Sequence, residues 1–258
     1  MPNTSVALAD GVQMPLVGFG TWQLHGRRAY QAVRHALDVG YRLIDTATIY
    51  RNEAEIGQAL RDSGIPRSDV FVTTKLWPND AGRERRTIAA SLKALDTDYV
   101  DLWLVHWPPR RGATVSVWKE FVAARGDGLV RTIGVSNFDP AQIDELTRAT
   151  GVTPAVDQIE WSPRLYDSKL VEALRARGVV LEGYSPFKTS RLDDPRLVDI
   201  AARHNVTPAQ VVLRWHVDHG FVAIPKSANP DRIAANFDVF DFSLDADELA
   251  RIDGLGSG

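Results

Sequence analysis

Short apolar runs, rich in β-branched, aromatic and aliphatic residues, recur along the chain, and most are separated by stretches whose apolar positions recur at helical spacing. Eight strand candidates follow one another at 16–20, 41–45, 70–75, 100–106, 132–136, 155–160, 179–184 and 221–225. Ahead of them, the segments 6–8 and 12–14 flank the turn pair Asp10-Gly11, which predicts an N-terminal β-hairpin. The intervening helices show their ends. Asp139-Pro140, Thr207-Pro208 and Asn229-Pro230 each place a capping side chain before a proline suited to a first helical turn. Asn52-Glu53-Ala54-Glu55 reads as a capping-box variant, and Gly40, Gly64 and Gly178 fall where helices would stop. Val33, Ala36 and Leu37, and again Ile88, Leu92 and Leu95, supply the apolar stripes.

Strand followed by capped helix, repeated with parallel crossovers, gives an α/β fold that is either a closed barrel or an open doubly wound sheet. An open dinucleotide-binding sheet calls for G-x-G-x-x-G after its first strand, but Gly18-Phe19-Gly20 continues as Thr21-Trp22-Gln23 without the third glycine. The expectation is therefore a (β/α)8 TIM barrel with an N-terminal β-hairpin. With 258 residues and no low-complexity linker, residues 1–258 are expected to form one domain.

Composition narrows the classes. Charged residues at 24% and hydrophobic residues at 44% are ordinary for a globular protein, and a net charge of -3 argues against a nucleic-acid or membrane-surface partner. The absence of cysteine removes disulfides, thiolate metal sites and a cysteine nucleophile together. No apolar run approaches membrane-spanning length, and the first residues lack a basic segment followed by an apolar one, so cytoplasm is the expected location.

Asp45, Tyr50, Lys75 and His106 lie at or just past the ends of apolar runs, positions that share one face in a barrel of parallel strands. A lysine and an aspartate closing mostly buried strands are most simply explained by pairing, since an isolated buried charge is costly. Lys75 could then lower the pKa of Tyr50 from its usual value of about 10, Asp45 could hold Lys75 protonated, and His106 could hydrogen-bond a substrate oxygen. Such a site suits a carbonyl that gains negative charge as hydride arrives, and hydride must come from a nicotinamide cofactor because no side chain supplies it. Taken singly, the Asp45 and Lys75 charges would be a structural ion pair and His106 a satisfied core histidine. His216 and His219 lack a convincing carboxylate partner, so no metal site is expected.

In combination, Gly18-Phe19-Gly20-Thr21-Trp22, the segment 44–50, Thr74-Lys75-Leu76-Trp77, Val105-His106-Trp107-Pro108, the segment 133–138 and Ile224-Pro225-Lys226-Ser227 resemble the aldo-keto reductases, in particular the bacterial branch that includes diketogluconic acid reductases. The resemblance runs from the hairpin to about Asp253. It implies that Tyr50 is the general acid, that Lys75 and Asp45 tune it and that His106 orients the carbonyl. It further implies that Ser136, Asn137 and Gln158 contact the nicotinamide carboxamide, that Tyr184 stacks on the ring with Ser185 beside it, and that Trp22, Trp77 and Trp107 wall the substrate pocket, with Trp161 as an addition. Lys226, Ser227, Arg232 and Asn236 match the region that holds the adenosine 2′-phosphate, which points to NADPH.

The chain departs from the family pattern at Ala235, where glutamate is frequent, at Asp157, where asparagine is, and at Phe187-Lys188, where leucine and glycine are. Relatives also usually continue beyond 252–258 into a tail over the pocket, which bears on substrate scope. The expected function is NADPH-dependent reduction of small-molecule aldehydes or ketones by a monomer. The alternatives weighed are a nucleotide-binding regulatory protein of slow turnover on the same fold, and a metal-dependent barrel hydrolase.

Overall fold

Strands β1 (Ser5–Ala7) and β2 (Gln13–Pro15) pair antiparallel with Val6 opposite Met14, the hairpin expected around Asp10-Gly11. Gly11, at φ 85, supplies the left-handed residue that the turn requires. The computed structural model describes residues 4–109, 112 and 114–256. Residues 1–3 and 257–258, on which the expectations about a leader and a tail partly rest, lie outside the described residues.

Eight parallel strands follow: β3 (Phe19–Gly20), β4 (Leu43–Asp45), β5 (Phe71–Leu76), β6 (Val100–Val105), β7 (Val130–Ser136), β8 (Val156–Glu160), β9 (Val180–Tyr184) and β10 (Val222–Ile224). They are hydrogen-bonded in sequential order. First and last strands then meet, because Gly18 N donates to Ala223 O at 2.8 Å, Ala223 N to Leu16 O at 2.9 Å and Gly20 N to Pro225 O at 3.0 Å. A (β/α)8 barrel closes there. Regular strand is shorter than the run 16–20 suggests, and the glycines explain the join. A Cβ on Gly18 would lie 2.5 Å from the Leu43 side chain, and one on Gly20 would lie 2.8 Å from Ile224 O. Only glycine admits that approach.

The helices begin where the caps predict. Asp139 with Gln142 and Thr207 with Gln210 form capping boxes, and the Asn229 side chain accepts from Arg232 N. Asn52 does not. Its carboxamide makes no cap to the helix Glu53–Asp62 and instead binds two neighbouring loops. On the barrel's outer face, Trp103 of β6 stacks on Phe121 of the helix Thr114–Gly126 with ring centroids 3.7 Å apart. Each such buried aromatic contributes roughly 1.5–3 kcal/mol of apolar burial.

Register assigns the interior. Gly20 pairs with Asp45 and Asp45 with Thr73, Lys75 with Leu104, and Ser136 with Gln158, which pairs with Glu182. Paired residues of parallel strands point to one side, so polar groups cluster inside the C-terminal half of the barrel. The hairpin lies at the other end, where Val12, Gln13 and Pro15 share a cleft with Arg42, Phe71, Asp101 and Arg131. The C-terminal mouth is left to the loops. Among the described residues no helix is long and apolar enough to cross a membrane.

Candidate active site

Lys75 is fully buried on β5, and its Nζ is held by Asp45 Oδ1 at 2.6 Å and Thr46 O at 2.9 Å. The same Nζ lies 3.4 Å from the hydroxyl of Tyr50, which sits on the turn Thr48–Tyr50 just beyond β4. Burial lowers the Lys75 pKa, but Asp45 and the Tyr50 oxygen outweigh it and raise it. Lys75 is a cation.

For Tyr50 the balance falls the other way. Burial raises the phenol pKa, Lys75 pulls it down, and Asp45 and Glu182 push it up again, with a net rise above the ordinary value. The expectation that Lys75 would leave Tyr50 more acidic than a free phenol is therefore corrected for this site. The hydroxyl is protonated and next to a cation that would stabilise its anion.

His106 follows the last residue of β6, and burial together with the Lys75 charge lowers its pKa to about 3. Its imidazole is neutral. Ring contacts place it beside the phenol, with centroids of Tyr50 and His106 5.7 Å apart. Trp22 lies 4.8 Å from Tyr50 and Trp77 5.3 Å from His106 by the same measure, while Trp22 and Trp107 are half exposed. The three tryptophans thus stand at the mouth. Trp161 does not join them, since it is buried among Tyr166 and Phe221 as a core aromatic.

A second polar group adjoins the first. Ser136 Oγ donates to Gln158 O at 2.7 Å and accepts from Asn137 Nδ2 at 2.9 Å, and Tyr184 donates to Asn137 Oδ1 at 3.0 Å. Asn137 and Ser185 take left-handed backbone at φ 62 and φ 54, which turns the chain sharply where β7 and β9 end. Gln158 Nε2 donates to Asp45 Oδ2 at 2.8 Å and so ties this group to the lysine. Its other N–H goes to Glu182 Oε2 at 2.9 Å. Glu182 is a buried carboxyl that the sequence reading did not single out, because a glutamate inside the run 179–184 carries no sign of which way it points.

Across the mouth, Ser227 and Asn229 close a turn in which Asn229 N donates to Ser227 Oγ at 3.1 Å, and the helix Pro230–Phe237 starts there. Lys226 and Arg232 are exposed and have no carboxylate partner among the described residues, whereas Ser227 and Asn236 are buried. Two unpaired cations at a helix N-terminus form a place for an anion. Of the departures, Lys188 reaches Glu160 at 2.9 Å, and Asp157 is enclosed with Oδ2 unpartnered. His216 bonds Val212 O, whereas His219, contrary to the expectation, has a carboxylate partner in Asp253 at 2.9 Å, far along the chain at the C-terminal helix.

Comparison with known proteins agrees with this geometry. The aldo/keto reductase family matches over residues 16–257. An aldo-keto reductase of Mycolicibacterium smegmatis is 46% identical over 98% of this chain and 94% of its own. Methylglyoxal reductase DkgA of Escherichia coli is 42% identical over 99% of this chain and 94% of its own. Among solved structures, a Bombyx mori aldo-keto reductase in complex with NADP superposes with a TM-score of 0.93 at 34% identity, covering 99% of this chain and 93% of that one.

Proposed function

The chain belongs to the aldo/keto reductase family, and from that premise we propose that it reduces small aldehydes or ketones to alcohols with NADPH, Tyr50 giving the proton. The observation that carries the reading is Lys75 Nζ held between Asp45 Oδ1 and the Tyr50 hydroxyl beside a neutral His106. NADPH, when bound, supplies the hydride.

The residues fit such a cofactor. Gln158 Oε1 has no partner among the described residues and is not enclosed, so it is open to a donor, while Asn137 and Ser136 lie beside it and Tyr184 offers a flat ring. Lys226 and Arg232, free of carboxylates among the described residues, suit a 2′-phosphate, and the NADP of the Bombyx mori complex is consistent with that. Ser185, Ser227 and Asn236 complete the cofactor contacts in this reading, and Trp22, Trp77 and Trp107 contact the substrate.

Tyr50 and His106 both reach the carbonyl oxygen. The His106 N–H that faces it donates without bringing a charge, and Tyr50 passes its proton once the oxygen turns anionic, leaving a phenolate next to Lys75. Asp45 keeps Lys75 protonated throughout. The same reading has residues 1–258 act as one cytoplasmic, monomeric domain on small-molecule carbonyls, and a net charge of -3 offers nucleic acid no footprint. Nothing in the site favours a regulatory protein of slow turnover.

Stopped-flow oxidation of NADPH with a reactive aldehyde tests the proposal. Tyr50→Phe is expected to leave NADPH binding intact and to slow reduction by about 10²–10⁴-fold. Turnover at the wild-type rate would remove Tyr50 from its role.

A further inference from the structure

Glu182 is a carboxyl inside the barrel with no exposed surface, and it belongs to none of the roles assigned above. One of its oxygens, Oε1, has no hydrogen-bond partner among the described residues, and the other accepts from Gln158 Nε2 at 2.9 Å. That nitrogen carries two hydrogens, and Asp45 Oδ2 takes the second at 2.8 Å. An amide whose two N–H groups are both taken by carboxyl oxygens has one orientation. Turned over, its oxygen would face the Asp45 carboxylate, which is paired with Lys75 and has no proton to give, and its N–H groups would lose the acceptors they now have. The amide's remaining atom, Gln158 Oε1, is an acceptor without a partner among the described residues and is not enclosed.

We propose that Glu182 is a positioning residue of this site: with Asp45 it clamps the Gln158 amide so that the amide presents only its oxygen, as the acceptor for a carboxamide N–H of the bound nicotinamide. The proposal rests on the reductase reading for what Gln158 meets. Without Glu182 one N–H is unclaimed, the amide is held at one corner, and rotation exposes donor and acceptor alike.

The surroundings of Glu182 support this role over that of a spectator. Asp45 from β4 and Lys75 from β5 are the charged groups that act on it, Gln158 faces it from β8, Tyr50 is near enough to be influenced by it, and β10 presents Val222. His216, from the helix behind, lies against Gly183 on the other side of the strand. Burial, and then the Asp45 charge, push the Glu182 carboxyl up to about 8. Near neutral pH it is a neutral acid that accepts a hydrogen bond without placing a second anion in the barrel. Glu182 stands two residues before Tyr184 on β9, on the same inward face and about 7 Å deeper. Ionising it therefore puts negative charge beneath the ring site, which favours the cationic oxidised nicotinamide over the neutral reduced one.

Titration of the intact protein with NADPH and NADP⁺, followed by quenching of tryptophan fluorescence, tests the role. Glu182→Leu removes the acceptor and is expected to weaken NADPH by roughly tenfold with little change in kcat at saturating cofactor, whereas Glu182→Gln retains an acceptor oxygen and restores affinity at neutral pH to within about twofold of wild type. In wild type the affinity ratio of NADP⁺ to NADPH should climb as pH rises through about 8, and in Glu182→Gln it should stay flat, a comparison that stands even where Glu182→Leu does not fold. Wild-type affinity in Glu182→Leu, or parallel pH curves for wild type and Glu182→Gln, overturns the assignment. A wild-type protein that binds no NADPH sinks the reductase reading itself, so the two failures are distinct.

Discussion

Lys75 and Tyr50 share one hydrogen bond yet respond to burial in opposite senses. The lysine retains its charge because Asp45 is 2.6 Å away, and the phenol retains its proton because burial outweighs the pull of the lysine. Proton transfer is thus conditional: Tyr50 releases nothing to water at neutral pH and releases its proton to an oxygen that has become more basic than the phenolate stabilised by Lys75. Lys75→Met removes that stabilisation. Reduction should slow by about 10²–10⁴-fold, and the alkaline limb of its pH profile should move to higher pH, because the phenol then holds its proton more tightly. A limb that stays in place while the protein remains folded would show that Lys75 does not tune Tyr50. Asp45, Tyr50, Lys75 and His106 were legible in the sequence since charged or titratable groups closing apolar runs contradict ordinary burial. Glu182 was not, because register alone decides that it points inward beside Gln158. The direction of the Tyr50 shift was missed for a related reason: sequence names the neighbours of a group but not the depth at which it is buried.

The elements that carry these residues were mostly legible as well, since eight apolar runs and the Asp-Pro, Thr-Pro and Asn-Pro caps recur as strands and helix starts. Asn52 marks where local pattern misleads. Its side chain, followed by glutamates, reads as a helix cap, but a cap needs only nearby backbone N–H groups, and stronger partners come from far along the chain. Asn52 Nδ2 donates to Thr21 O at 3.0 Å and Leu24 O at 2.9 Å, and Oδ1 accepts from Thr46 at 2.7 Å, so one buried side chain joins the loop after β3, which bears Trp22, to the loop after β4, which bears Tyr50. Trp22 rests on Tyr50 by way of that junction. Asn52→Ala takes the side-chain partner from the buried Leu24 carbonyl and from the Thr46 hydroxyl, and leaves Thr21 O with only the Leu24 N–H. A loss of about 2–3 kcal/mol in urea unfolding is expected, together with a rise in KM for the carbonyl that exceeds the fall in kcat. If instead kcat falls while KM and stability hold, Asn52 acts on the chemistry and not on the loops.

At the level of the whole molecule, the strongly shifted buried groups His106, His216, Asp157 and Glu182 dominate how stability depends on pH between about 4 and 8, because exposed ion pairs such as Arg61–Asp96 are screened. His106 and His216 are lowered by burial to about 3 and about 4, below the usual value of about 6.5, so the unfolded chain takes up protons first and stability is lost as pH falls from about 6.5 towards 4. Asp157 and Glu182 are raised by burial to about 8, so the folded chain holds protons that the unfolded chain releases near 4, and stability falls as pH rises from about 4 to about 8. The two slopes oppose each other below about 6.5. Above it only the carboxyls act, and the protein should lose stability between about 6.5 and 8, by at most about 1.4 kcal/mol per pH unit for each group. Asp157 is the group to change, since Oδ1 accepts from Phe138 N at 3.4 Å and an asparagine oxygen can do the same. Asp157→Asn removes one titration without disturbing Tyr50, so urea unfolding at pH 5, 6.5 and 8 should show the variant gaining on wild type at each step upward. Parallel stability curves would mean that Asp157 is ionised in the folded protein, and that its enclosed Oδ2 finds compensation at the turn beneath Asn137.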